Sequence, residues 1–135
     1  MKVIVDSNIL FSALLSKNSK LKYPFFKEEL EFYSCNFLFV EIFKHKEKIL
    51  SVSKLSEEEL LTALEMLTRR INFVREEFIP KEIFNQAFNL CKDVDEKDTP
   101  FVALTIFLDG YLWTGDKKLK ESLEKKEFDK FFELY

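Results

Sequence analysis

A chain of 135 residues has the common length of one domain and can bury roughly two thirds of the surface its unfolded form exposes. With 47% hydrophobic residues, 33% charged residues and 16 phenylalanines it has material for a dense core, which excludes a disordered chain. A net charge of −3 argues against indiscriminate nucleic-acid binding, and neither an uncharged apolar run of about 18 residues nor a signal-peptide pattern is present, so the expectation is one domain over 1–135 in the cytoplasm.

The chain opens with Lys2-Val3-Ile4-Val5, which reads as a buried parallel strand. Asp6-Ser7-Asn8 then supplies caps for a helix through Ile9–Leu15. Pro24 starts a short helix over 25–30, residues 31–35 form a brief strand, and a long helix covers 37–53. Ser56 with Glu59 three residues on is a capping box for a helix that repeats Leu60, Leu64, Leu67 and Ile71 at helical spacing.

Asn72-Phe73-Val74 is the next strand, Pro80 begins a helix over 81–92, and an apolar helix at 100–109 closes at Gly110. Residues 111–114 make a strand, 117–126 a polar helix, and 128–134 a last strand at the sheet edge. Alternation of this kind predicts a three-layer α/β/α sandwich around a mostly parallel sheet of about five strands. Cys35 and Cys91, distant in sequence and set in apolar or helical surroundings, read as buried thiols.

Ligands of an open parallel sheet collect beyond the carboxyl ends of its strands. There the first strand ends in Asp6, and the strand at 111–114 ends, one glycine later, in Asp116. Neither turn is glycine-rich enough to cradle a nucleotide's phosphates, which removes the dinucleotide and P-loop readings. Glu41 is the only charge in Phe37–Phe43, and Asp98 stands where the helix at 100–109 begins. Each acid has a simpler explanation: Asp6, Asp98 and Asp116 can serve helix caps, and Glu41 can pair with Lys44, His45 or Lys48. Together they read as a shared site, because unit charges about 4 Å apart repel by roughly 4 kcal/mol at an effective dielectric near 20. Oxygen donors without a Cys–His set suit Mg²⁺ or Mn²⁺ rather than zinc.

These segments resemble the PIN-domain ribonucleases, including the toxin halves of VapBC-type toxin–antitoxin pairs. The resemblance runs through Val3-Ile4-Val5-Asp6-Ser7-Asn8-Ile9-Leu10, Glu41, Asp95-Glu96-Lys97-Asp98-Thr99-Pro100-Phe101-Val102-Ala103-Leu104 and Leu112-Trp113-Thr114-Gly115-Asp116-Lys117-Lys118-Leu119. It implies that Asp6, Glu41, Asp98 and Asp116 are the metal-binding, catalytic acids, that Asn8 and Thr114 hydrogen-bond them or a water, and that RNA is cut to leave 5′-phosphate and 3′-hydroxyl ends. Asp95, one turn before Asp98, is the alternative third acid.

Local basic clusters that could hold a polyanion are Lys44, Lys46 and Lys48 with His45, then Arg69-Arg70, then Lys117, Lys118 and Lys120; the RNA-binding candidates among them are Lys44, Lys46, Lys117 and Lys118, while His45, the sole histidine, reads as a helix-face residue. Toxin-type relatives imply a homodimer neutralised by an antitoxin; a non-cutting PIN-like binding module and an RNA-processing nuclease outside any such pair are the alternatives. A signalling receiver domain does not fit, because residues 50–60 hold no Asp to accept a phosphoryl group.

Overall fold

Val3, Ile4 and Val5 are completely buried in the computed structural model, which describes residues 1–15 and 20–133. A strand covered on both faces needs such an uninterrupted apolar run, and this one, β1 (Lys2–Val5), lies inside the sheet. The helix α1 (Ser7–Leu15) follows, then a single 3₁₀ turn over Tyr23–Phe26 and β2 (Glu31–Cys35). The helix expected over 25–30 is thus one turn placed slightly earlier: Pro24 sits in its first turn, and the Leu30 N–H already turns back to Lys27 O before β2 begins.

The long helix α2 (Phe37–Ser53) has the expected bounds. Its start is held from outside, since Asn36 gives no side-chain cap and the Phe37 N–H instead donates to Glu76 Oε1 at 2.7 Å. In α3 (Glu57–Thr68) the predicted capping box is complete, with both Ser56–Glu59 bonds at 3.1 Å. After it come β3 (Ile71–Val74), α4 (Lys81–Cys91), α5 (Thr99–Leu108), β4 (Tyr111–Trp113) and α6 (Lys117–Lys125).

All strand pairs are parallel, in the order β3-β2-β1-β4. Right-handed crossovers put α1, α2 and α3 on one face while the chain steps from β1 through β2 to β3. The return to β4 on the far side of β1 reverses direction, so α4 and α5 cover the other face, where α5 packs on β1, β2 and β4. The connections therefore diverge between β1 and β4, which makes the carboxyl ends of those two strands the crevice of the fold.

The described sheet has four strands rather than about five. What was expected as a strand over 128–134 is, among the described residues, one parallel bridge between Leu112 and Phe131, flanked by the bonds Leu112 N–H to Lys130 O and Phe132 N–H to Leu112 O. The buried positions there are Phe128 and Phe131, three apart, so the segment does not alternate as a pleated strand would.

At the end of α5 the left-handed position falls on Asp109, with φ 52°, and not on Gly110. Gly110 is required for a different reason: a Cβ there would lie 2.6 Å from Ile4 Cδ1 and 2.8 Å from Lys2 O, so its absence lets the chain enter β4 close against β1. Cys35 and Cys91 are free and buried, and burial is the main reason both thiols titrate far above the ordinary cysteine value. No helix among the described residues is long and apolar enough to cross a membrane.

Candidate active site

Pairing of Val5 with Trp113 places the next residues of β1 and β4, Asp6 and Thr114, side by side in the crevice. Asp6 is 3% exposed, and its Oδ1 accepts from the Ile9 N–H at 2.9 Å, so it does cap α1 as one of its simpler explanations required. Burial pushes its carboxyl up to about 6; the Thr114 hydroxyl and the Ile9 N–H pull it down, and the charge of Asp116 pushes it up again. Thr114 also accepts from the Asp116 N–H at 3.1 Å. Asp116 in turn caps α6, its Oδ1 accepting from Lys118 and Leu119 at 3.0 and 3.1 Å, which leaves Oδ2 free of the cap.

Asp98 behaves differently from those two. It occupies the cap position of α5 but makes no capping bond. Burial first, then the charges of Asp6, Asp95, Asp116 and Glu41, push its carboxyl up to about 7. Five acids thus share one field at the carboxyl ends of β1 and β4. Asp93 stands apart, ion-paired with Lys126, whereas Asp95 caps the turn at Glu96–Asp98 through its bond from the Lys97 N–H and lines the same hollow as Asp98.

That hollow, about 180 Å³, is bounded by Asp6, Asn8, Glu41, Asp95 and Asp98, with Ser7, His45, Lys97 and Phe101 completing it. Glu41 comes from the first half of α2, its side chain only 12% exposed, and Nε2 of His45 lies 3.4 Å from its Oε2. Among the described residues no three acidic, His or Cys side chains are drawn into a closed cage for a metal ion. The donor chemistry nevertheless fits a hard dication: the donors are carboxylate oxygens that raise one another's proton affinity, and the buried Ser7 Oγ beside them has no hydrogen-bond partner.

A family model for the PIN domain matches residues 4–130. The chain belongs to the PIN-domain family. No curated protein matches it. Among solved structures, a chain in the crystal structure of VapBC2 from Rickettsia felis bound to a DNA fragment from their promoter superimposes with a TM-score of 0.69 at 13% identity, over 90% of this chain and 92% of that one. At that identity the likeness speaks to the fold, a parallel sheet flanked by helices.

Within this PIN domain the basic candidates separate. Lys117 and Lys118 are exposed on the first turn of α6, beside Asp116, and Lys44 is exposed three residues beyond Glu41 on α2. Lys46 points to the other side of α2, where it pairs with Glu57 at 3.2 Å and borders an apolar hollow with Phe39, Phe43 and Leu61. Arg69 is ion-paired with Glu65, and Arg70 donates to Phe25 O at 2.7 Å, which gives both structural work away from the acids.

Sequence reading took His45 for a helix-face residue, placed Lys48 in a basic cluster with Lys44 and Lys46 without choosing it for the site, and did not single out Lys97 as basic. The spacing carried a signal: residues 41, 45, 48 and 52 recur at the helical period and share a face.

Proposed function

We propose that this PIN domain is a metal-dependent endoribonuclease that hydrolyses RNA phosphodiester bonds with Mg²⁺ or Mn²⁺. The observation carrying this reading is the gathering of Asp6, Glu41, Asp98 and Asp116 in one field at the fold's crevice, where burial first and then the neighbouring charges push the Asp98 carboxyl up to about 7.

In this reading Asp6, Glu41, Asp98 and Asp116 hold the ions, and Asp95 stands at the rim as the alternative to Asp98. A bound dication supplies Lewis acidity for attack of water on the phosphodiester. Thr114 fixes Asp6 and Asp116 relative to one another, and Asn8, exposed at the same rim, orients a ligand or its water. Lys44, Lys117 and Lys118 draw the phosphate backbone towards an otherwise acidic cleft, with Lys46, tied to Glu57, as the weakest contributor.

The biological role we infer is the toxin half of a type II toxin–antitoxin pair, a cytoplasmic homodimer held inactive by its antitoxin, with the whole of 1–135 as one nuclease domain. Support comes from the family and from the solved VapBC2 assembly of similar fold. The apolar hollow edged by Phe43, which is 84% exposed, is where this reading seats the antitoxin. Cleavage of mixed RNA by the purified chain tests the enzyme assignment. Asp6→Asn and Asp98→Asn are expected to lose Mg²⁺- or Mn²⁺-dependent cleavage, while Asp93→Asn keeps it. Full cleavage by both of the first two variants would reject the assignment of these acids, and a parent chain that cuts no RNA would leave a non-cutting RNA- or protein-binding module.

A further inference from the structure

A second hollow, about 210 Å³, lies between α1 and α2 and shares Asn8 and His45 with the acid hollow. We propose that it seats the nucleotide next to the scissile phosphate of single-stranded RNA, an inference that rests on the nuclease reading and names a substrate subsite for it. The two hollows form one trough with His45 at the junction. On one side its Nε2 faces Glu41 at 3.4 Å; on the other its ring meets the Phe11 ring edge to face, at 5.7 Å between centroids and 71° between planes.

The far wall carries Lys48 and Val52, one and two turns beyond His45. Lys48 is exposed and has no ion-pair partner among the described residues, unlike Lys46 two positions earlier. From Glu41 to Lys48 the helix advances about 10 Å, the reach of a neighbouring nucleotide.

The chemistry of the trough matches that ligand in three ways. Aromatic rings give a stacking surface that accepts any base. Asn8 offers an amide that can both donate to and accept from a base edge. Lys48 supplies a positive charge for the next phosphate, set away from acids that repel it. A cleft this acidic gives an RNA strand little grip by itself, so purchase on the substrate has to come from its flanks, and this hollow shares two wall residues, Asn8 and His45, with it.

His45 is the chain's sole histidine, so its imidazole protons are an unambiguous magnetic-resonance reporter. The intact protein in Mg²⁺ is titrated with adenosine and uridine 5′-monophosphate, and its steady-state cleavage of a short single-stranded RNA is compared with that of Phe11→Leu, which keeps bulk but not aromaticity, and of the surface variant Lys48→Ala. The expected result is a saturable shift of the His45 resonances beyond that caused by Mg²⁺ alone, and a KM raised roughly ten-fold in each variant with kcat little changed. His45 resonances that do not move, together with unaltered KM in both variants, would overturn the subsite. If the parent cuts no RNA, the nuclease reading fails, and the His45 titration then decides the subsite alone: a saturable shift keeps it as a nucleotide site, and no shift removes it.

Discussion

Thr114 accepts the Asp116 N–H at 3.1 Å, and the same hydroxyl holds down the proton affinity of Asp6. One side chain thereby ties together the acids that end β1 and β4. Thr114→Val keeps the shape and removes the hydroxyl. We expect the metal concentration for half-maximal RNA cleavage to rise about ten-fold, as for other groups that orient a metal ligand. An unchanged metal dependence in Thr114→Val would show that Asp6 and Asp116 are placed without it.

Stability without metal should fall as pH rises, which follows from the sign of two shifts. Folding raises the carboxyls of Asp6 to about 6 and of Asp98 to about 7, against about 3.9 in an unfolded chain. Between those values the folded form binds more protons than the unfolded form, so the contribution is fully present below about pH 4 and is lost through pH 6–7. In EDTA, Tm is expected to be lower at pH 8 than at pH 5. Asp98→Asn should flatten that dependence and raise Tm at pH 8, corresponding to a gain on the order of 2 kcal/mol. A Tm that does not change with pH in both proteins would mean that neither burial nor the neighbouring charges hold the Asp6 and Asp98 carboxyls up.

Much of this was legible before any coordinates. The apolar run Val3–Val5, the Ser56–Glu59 box and the 37–53 helix carry local signals strong enough to fix an element by themselves, and Asp6 and Asp116 followed from asking what ends each strand. What failed depends on contacts between distant segments. Gly110 does close α5, its N–H bonding to Thr105 O, but the need for a glycine there comes from Ile4 and Lys2 across the sheet. The segment after α6 is rich in phenylalanine like a strand, but only its pairing with Leu112 reveals that it contributes a single bridge among the described residues. Lys46 and Lys48 are alike in sequence, and only the direction of α2 sends one to Glu57 and the other to the trough.

The basic residues near Asp116 and Glu41 make a separate expectation about salt. Each lysine that neutralises a phosphate of a single strand contributes about 0.7 to the slope of log affinity against log salt. Lys44→Ala, Lys117→Ala and Lys118→Ala should each weaken RNA binding and flatten that slope by about this amount. Lys46→Ala should change it less, since its ammonium is engaged by Glu57. Fluorescence anisotropy with labelled RNA over a salt series reads these slopes, and a larger loss for Lys46→Ala than for the other three would move the binding face to the opposite side of α2.

Gly110 links stability to the site. Its missing Cβ is what lets β4 approach β1, and these two strands deliver Asp116 and Asp6 to the crevice. In Gly110→Ala the Ile4 side chain can turn aside, but the carbonyl of Lys2, 2.8 Å from the new carbon, belongs to the backbone of a paired strand and cannot move alone. The variant should lose about 1–3 kcal/mol, as overpacked interiors do, with a Tm lower by several degrees. Because the displaced strand carries Thr114 and Asp116, RNA cleavage measured well below that Tm should fall as well. A protein with parent-like Tm would show that the β1–β4 pair tolerates a wider separation, and one that is destabilised yet fully active would show that the strand ends hold the acids in place independently of the strand starts.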